Sequence, residues 1–230
     1  MLTGETMTDT KKNLYLFILW QNGRVKEKEF LEEIKNKFEI FQIYEISWRE
    51  EDFAPSLARF YGKKLPKGCK KEKDTGRGPF LAILFFDNNE EWNEAGNNIT
   101  VQYAKRIYRE FLGGNLLHAS DNPVETNENT LFLLGKNLNE LLCESASETP
   151  KIYNKGLVGF PCWKDLDEAL TLIRKCPDTI VDTTKKKPII FTKHIDVIKR
   201  LLNAEKCFLF SRYKIQTENG KATLCIKKIR

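Results

Sequence analysis

A chain of 230 residues with 41% hydrophobic content is long enough for one large domain or two small ones. Its 38 lysines and arginines stand against 32 acids, so the net charge of +6 is too modest to define a nucleic-acid binder. No window approaches the roughly 20 apolar residues of a membrane span and no signal-type segment opens the chain, so a cytosolic protein is expected.

The first element is the apolar run NLYLFILW (13–20), a buried strand closing at QNG. In VKEKEFLEEIKNKF, Val25, Phe30, Ile34 and Phe38 fall at helical spacing with charge on the other face. EIFQIYEISW (39–48) alternates as a strand does, and a short helix is expected in the segment from Arg49 to Pro66. The lysine-rich 63–77 then gives way to GPFLAILFFD (78–87), which predicts a central strand. Residues from Ile99 to Phe111 again have helical spacing, with Lys105, Arg106 and Arg109 on the flanks. NLLH predicts a short strand ending at His118. Asn122 or Asp121 can cap a following helix, with Pro123 suited to its first position and Gly135 to its stop.

This order, strand and helix alternating four times, predicts an α+β fold: a ferredoxin-like sheet covered by helices on one face, over residues 1–142. The polar stretch 143–156 is expected as a linker. Residues 157–230 carry helix, strand and hairpin patterns and are expected as a small α/β piece. The six cysteines lack C-x-x-C spacing and only two histidines are present, so thiols are expected reduced and no metal site is expected.

The string NLLHASDN resembles the N-I-I-H-G-S-D-S motif of nucleoside diphosphate kinases. ARFYGKKLP resembles that family's tyrosine, lysine and proline segment, and GPFLAILFF its S-G-P-V-V-A-M-V strand. The likeness covers about residues 13–136. It implies a nucleoside diphosphate kinase-like fold with His118 as the residue that carries the phosphoryl group. By the same resemblance Asn115 takes the place of an asparagine touching the nucleotide's sugar. Tyr61 falls near the site tyrosine and Arg109 near an arginine that steadies phosphates, while Ser120 and Asp121 occupy the turn after the histidine. A neutral imidazole can attack a phosphate and hold the group, splitting one transfer into two in-line steps.

Two departures bear on that chemistry. Trp20 stands where the family has a lysine that contacts the transferred phosphate, removing a source of charge stabilisation. The glutamate that orients the family's histidine is replaced by Asn129 or Thr130, with Glu125 and Glu128 nearby. Further on, PIIFTKHIDVIKRLL resembles the D-x-D strand of nucleotidyltransferases, but His194 occupies the first carboxylate position ahead of Asp196.

Two functions follow. One is an enzyme that moves a phosphoryl or nucleotidyl group, with His118 as nucleophile or charge stabiliser; the intact N-x-x-H-x-S-D string favours it. The other is a binding module, or an accessory region of a nucleotidyltransferase-related protein, that holds its ligand without turnover; the lost lysine and the lost carboxylate favour it. The partner in either case is a nucleotide or phosphorylated small molecule, with Mg²⁺ able to accompany a nucleotide. An oligomer is open to both. The lysines of 63–77 could instead wall a phosphate site, and nucleic acid ranks behind these ligands.

Overall fold

The computed structural model describes residues 12–62, 65, 66, 68–207 and 211–229. The N-terminal half runs β1 (Leu14–Leu19), a 3-10 turn (Gln21–Lys26), α1 (Glu27–Lys37), β2 (Glu39–Ile46), α2 (Glu50–Tyr61), α3 (Lys70–Thr75), β3 (Phe80–Phe86), α4 (Ile99–Leu112), β4 (Leu117–Ala119), α5 (Pro123–Leu134) and α6 (Leu138–Leu142). β5 (Ser147–Tyr153) follows, and the C-terminal piece comprises α7 (Leu166–Ile173), β6 (Thr179–Asp182), β7 (Ile189–Thr192), α8 (Ile195–Leu202), β8 (Glu205–Lys206), β9 (Arg212–Thr217) and β10 (Gly220–Lys228).

β3 is the centre of the first sheet, as expected of 78–87, pairing antiparallel with both β1 and β2, while β1 pairs antiparallel with β4. The resulting order β4-β1-β3-β2, with α1 and α4 as its crossovers, is the ferredoxin-like arrangement. The continuous apolar run of β1 reflects burial on both sides. Tyr15, Phe17 and Leu19 pack against α1 and α4 through Phe30, Ile34 and Tyr108. Leu14, Leu16, Ile18 and then Trp20 face the opposite core, built by α2, α5 and the C-terminal piece. The sheet is thus covered on two faces rather than the one that the element order suggested, and the second cover comes from residues distant in sequence.

Residues 143–156, expected as a linker, contribute β5, which pairs parallel with β2 and extends the sheet to five strands. As an edge strand it leaves one flank in solvent, which suits its polar composition. The second sheet has the order β6-β7-β10-β9-β8, with β7 and β10 parallel and the other pairs antiparallel. Its Ile190, Ile215 and Leu224 share one core with Leu170, Ile198 and Leu201 of the helices and with Phe53, Leu57 and Phe60 of α2.

The join between the halves is also polar. Arg59, on the buried side of α2, donates from Nε to the Arg200 carbonyl at 2.9 Å and from Nη2 to the Leu201 carbonyl. Trp163 Nε1 donates to the next carbonyl, Leu202, at 3.1 Å. The final carbonyls of a helix have no partner within it, so these two side chains close the end of α8. His194 and Asp196 lie at the start of that helix, past the end of β7, and therefore do not share a strand face.

Among the described residues no helix is long and apolar enough to cross a membrane.

Candidate functional site

Gly113 ends α4 in the left-handed conformation (φ 86°), where a side chain is disfavoured, and the chain turns into β4. Ile18 of β1 pairs with His118, which fixes the histidine's position at the sheet edge. Asn122 caps α5, its side chain accepting from the Glu125 amide at 2.9 Å, and Pro123 takes the first helical position. Glu125 reciprocates by accepting from the Asp121 amide at 2.8 Å. Strand end, turn and helix start are thereby locked together around the imidazole.

His118 is nearly enclosed, with 12% of its side chain exposed. Its ring meets Phe60 and Tyr61 edge-on at 5.5 and 5.7 Å between centroids. Asn129 Nδ2 donates to its Nε2 at 3.0 Å. Burial, seconded by the positive charges of Lys105, Lys71 and Arg109, pulls the imidazole down to about 3, so it is neutral at physiological pH. The 3.7 Å approach of Glu125 Oε1 is therefore a contact with a neutral ring rather than an ion pair, and burial raises the Glu125 carboxyl as well.

One cleft of about 440 Å³ reaches the ring, walled by Tyr61, Glu125, Glu128, Asn129 and Arg200. Burial also raises Glu128, whose Oε2 lies 3.7 Å from Arg200 Nη2. Tyr61 separates this cleft from a second, of about 400 Å³, lined by Lys70, Lys71, Asp74 and Asn115. Lys71 Nζ sits 4.8 Å from the Tyr61 ring centre, a cation over the aromatic face. Asn115 continues into a third, of about 510 Å³, with Lys105, Arg106, Arg109 and Asp121.

The structure brings His118 and Tyr61 into contact and sets Asn115 beside Tyr61, whereas the other expected residues are engaged elsewhere. Arg109 donates twice to the Leu117 carbonyl at 3.0 Å, and Asp121 binds Lys105 at 2.8 Å. Ser120 is fully buried behind the site, where its hydroxyl bridges the Leu16 amide and Thr126. Trp20 is fully buried against Phe80 and the aromatic end of α2. Among the described residues its Nε1 and the Tyr61 hydroxyl, both buried, have no hydrogen-bond partner of good geometry.

Two further residues complete the site. Asn129, one of the two candidates the sequence offered for orienting the ring, takes that role from the second turn of α5. Arg200 enters from α8, about eighty residues downstream of His118, and nothing local in the sequence marks it. Among the described residues no group of three or more histidine, cysteine, aspartate or glutamate side chains is arranged to hold a metal ion.

The fold and site define an α+β protein with a ferredoxin-like sheet and a histidine held neutral in the middle of the short edge strand β4. A solved structure similar to this chain is the nucleoside diphosphate kinase of Aquifex aeolicus, at 17% identity and a TM-score of 0.37, covering 51% of this chain and 92% of that one. No family model and no curated protein matches the sequence.

Proposed function

We propose that this protein binds a nucleotide or a phosphorylated small molecule in the joined clefts around Tyr61 and Asn115, with His118 as the inner wall. The observation that carries this reading is the shared position of Tyr61, with the neutral His118 on one face and Lys71, Lys70 and Asn115 on the other. Lys71 over the aromatic ring, with Lys70 and an exposed amide beside it, supplies charge for phosphate and hydrogen-bonding capacity for a sugar.

Binding is favoured over transfer by what surrounds the imidazole. A neutral ring has the lone pair a nucleophile needs, but Nε2 of His118 already accepts from Asn129. Lys105 and Arg109 are held by Asp121 and main-chain carbonyls, and an indole fills the place where a lysine would meet the transferred group. In this reading the C-terminal piece acts as an accessory wall through Arg200.

A ligand that binds only the folded chain raises its apparent stability, by about 2.7 kcal/mol at a hundredfold excess over Kd. A thermal-shift series with ATP, GTP and nucleotide sugars is expected to show such a rise in the wild type and a reduced one in Lys71→Ala and Asn115→Ala. Absence of any shift at millimolar ligand defeats the reading. Incubation with labelled ATP, followed by an acid-labile, alkali-stable phosphate assay against His118→Ala, separates binding from transfer: label on wild-type protein establishes the enzyme instead.

A further inference from the structure

On the other side of Arg200 from His118, α2 and α8 enclose a cleft of about 830 Å³. Apolar groups, among them Pro55, Ala58, Leu65 and Ala204, form much of its wall, and its charged residues are Arg59, Lys199 and Arg200. Among the described residues no carboxylate lines it.

Arg59 is the unusual member. Its side chain is buried, its Nε and Nη2 are taken by the carbonyls that end α8, and its Nη1 has no partner. Among the described residues no acidic group stands beside it, and burial pulls the guanidinium down to about 9. Arg200 shares part of this, its Nε being buried with no partner among the described residues while its Nη2 meets Glu128. The nearby acids are turned outward or away: Asp196, on Lys199 at 3.1 Å, is almost fully exposed, and Glu128 approaches Arg200 from the His118 side. Buried charges in proteins are ordinarily paired, and Arg59, a residue of the cleft wall, keeps a buried donor without an acceptor.

We propose that the α2–α8 cleft is a second ligand site that takes a phosphate monoester on a small apolar body. The three cations outnumber the acids that face them within the cleft, which suits a dianion better than a carboxylate. The proline, alanine and leucine walls suit an apolar substituent rather than free phosphate. This site shares Arg200 with the His118 cleft and Leu65 with the Lys70 and Lys71 cleft, and no other lining residue with either.

The test uses the whole chain, labelled with ¹⁵N and titrated with phenyl phosphate, inorganic phosphate and phenylacetate. Amide signals of Gly62, Asn203 and Ala204, at the cleft, are expected to move with phenyl phosphate, less with inorganic phosphate and least with phenylacetate. His118→Ala is expected to leave these shifts intact, which separates this site from the proposed nucleotide site. Lys199→Glu is expected to weaken the binding at least about tenfold. Ala58→Glu supplies a carboxylate beside Arg59 and is expected to abolish the shifts while raising the melting temperature. The proposal is overturned if the three signals stay still in wild type at millimolar phenyl phosphate. It is equally overturned if Lys199→Glu responds as wild type does, or if His118→Ala alone removes the response.

Discussion

Asn129 Nδ2 stands 3.0 Å from His118 Nε2, so a carboxamide, not a carboxylate, sets the orientation of the buried imidazole. An amide donor favours the neutral ring with its proton on Nδ1, whereas a carboxylate would favour the charged one. Replacing Asn129 by Asp is therefore expected to raise the His118 pKa from about 3 by at least ~1 unit. An NMR titration of the His118 Cε1–H signal checks this; an unchanged midpoint would show that Asn129 does not govern the ring.

The depressed pKa also has a consequence for stability. The folded ring stays neutral down to about 3 while the unfolded ring takes a proton near 6.5, so the unfolded state binds more protons between those values. Stability then falls as pH drops from about 6.5 toward 3, by up to ~1.4 kcal/mol per pH unit from this group alone. Glu125 and Glu128, with raised pKa values, act in the opposite direction. The comparison is thus between wild type and His118→Gln, and urea titrations at several pH values should show a shallower acid loss in the variant. Parallel curves would mean that the histidine is not held neutral.

Placing a lysine at position 20 is expected to damage the fold. The indole is fully buried among Trp48, Phe53, Phe60 and Phe80, and a lysine there would leave a cavity and a charge without water. The expected cost of Trp20→Lys is at least ~3 kcal/mol. Denaturant unfolding measures it, and a near-native midpoint would contradict the packing described.

Gly159 offers a test of the join between the halves. It sits at φ 65° against the indole of Trp163, and a Cβ there would land inside that ring. Trp163 in turn closes the end of α8 through the Leu202 carbonyl. Gly159→Ala is expected to cost roughly 2–4 kcal/mol from overpacking and backbone strain together. Hydrogen exchange should quicken in α8 before it does in β1 and β3; uniform exchange would separate Gly159 from the helix.

What could be read from the sequence was local. The cap and stop of α5 lie in Asn122, Pro123 and Gly135, and the ferredoxin-like order follows from the sequence of apolar patterns. Ser120 illustrates the limit: its hydroxyl turns to the backbone of β1, a choice made by pairing between residues over a hundred positions apart. The edge strand within 143–156 was hidden because its residues face water and need no apolar alternation. Arg59 and Arg200 gain their importance only when α8 docks on α2, and no spacing within either helix announces that meeting.

Arg200 forms part of the wall of two clefts at once, one containing His118 and the other Arg59. A single side chain cannot adopt two positions independently, so an occupant that pulls it toward one side alters what the other side offers. Thermodynamic reciprocity then requires that whatever factor one ligand imposes on the affinity of the second, the second imposes on the first. The docking of α8 on α2 thus places one side chain in the walls of both compartments.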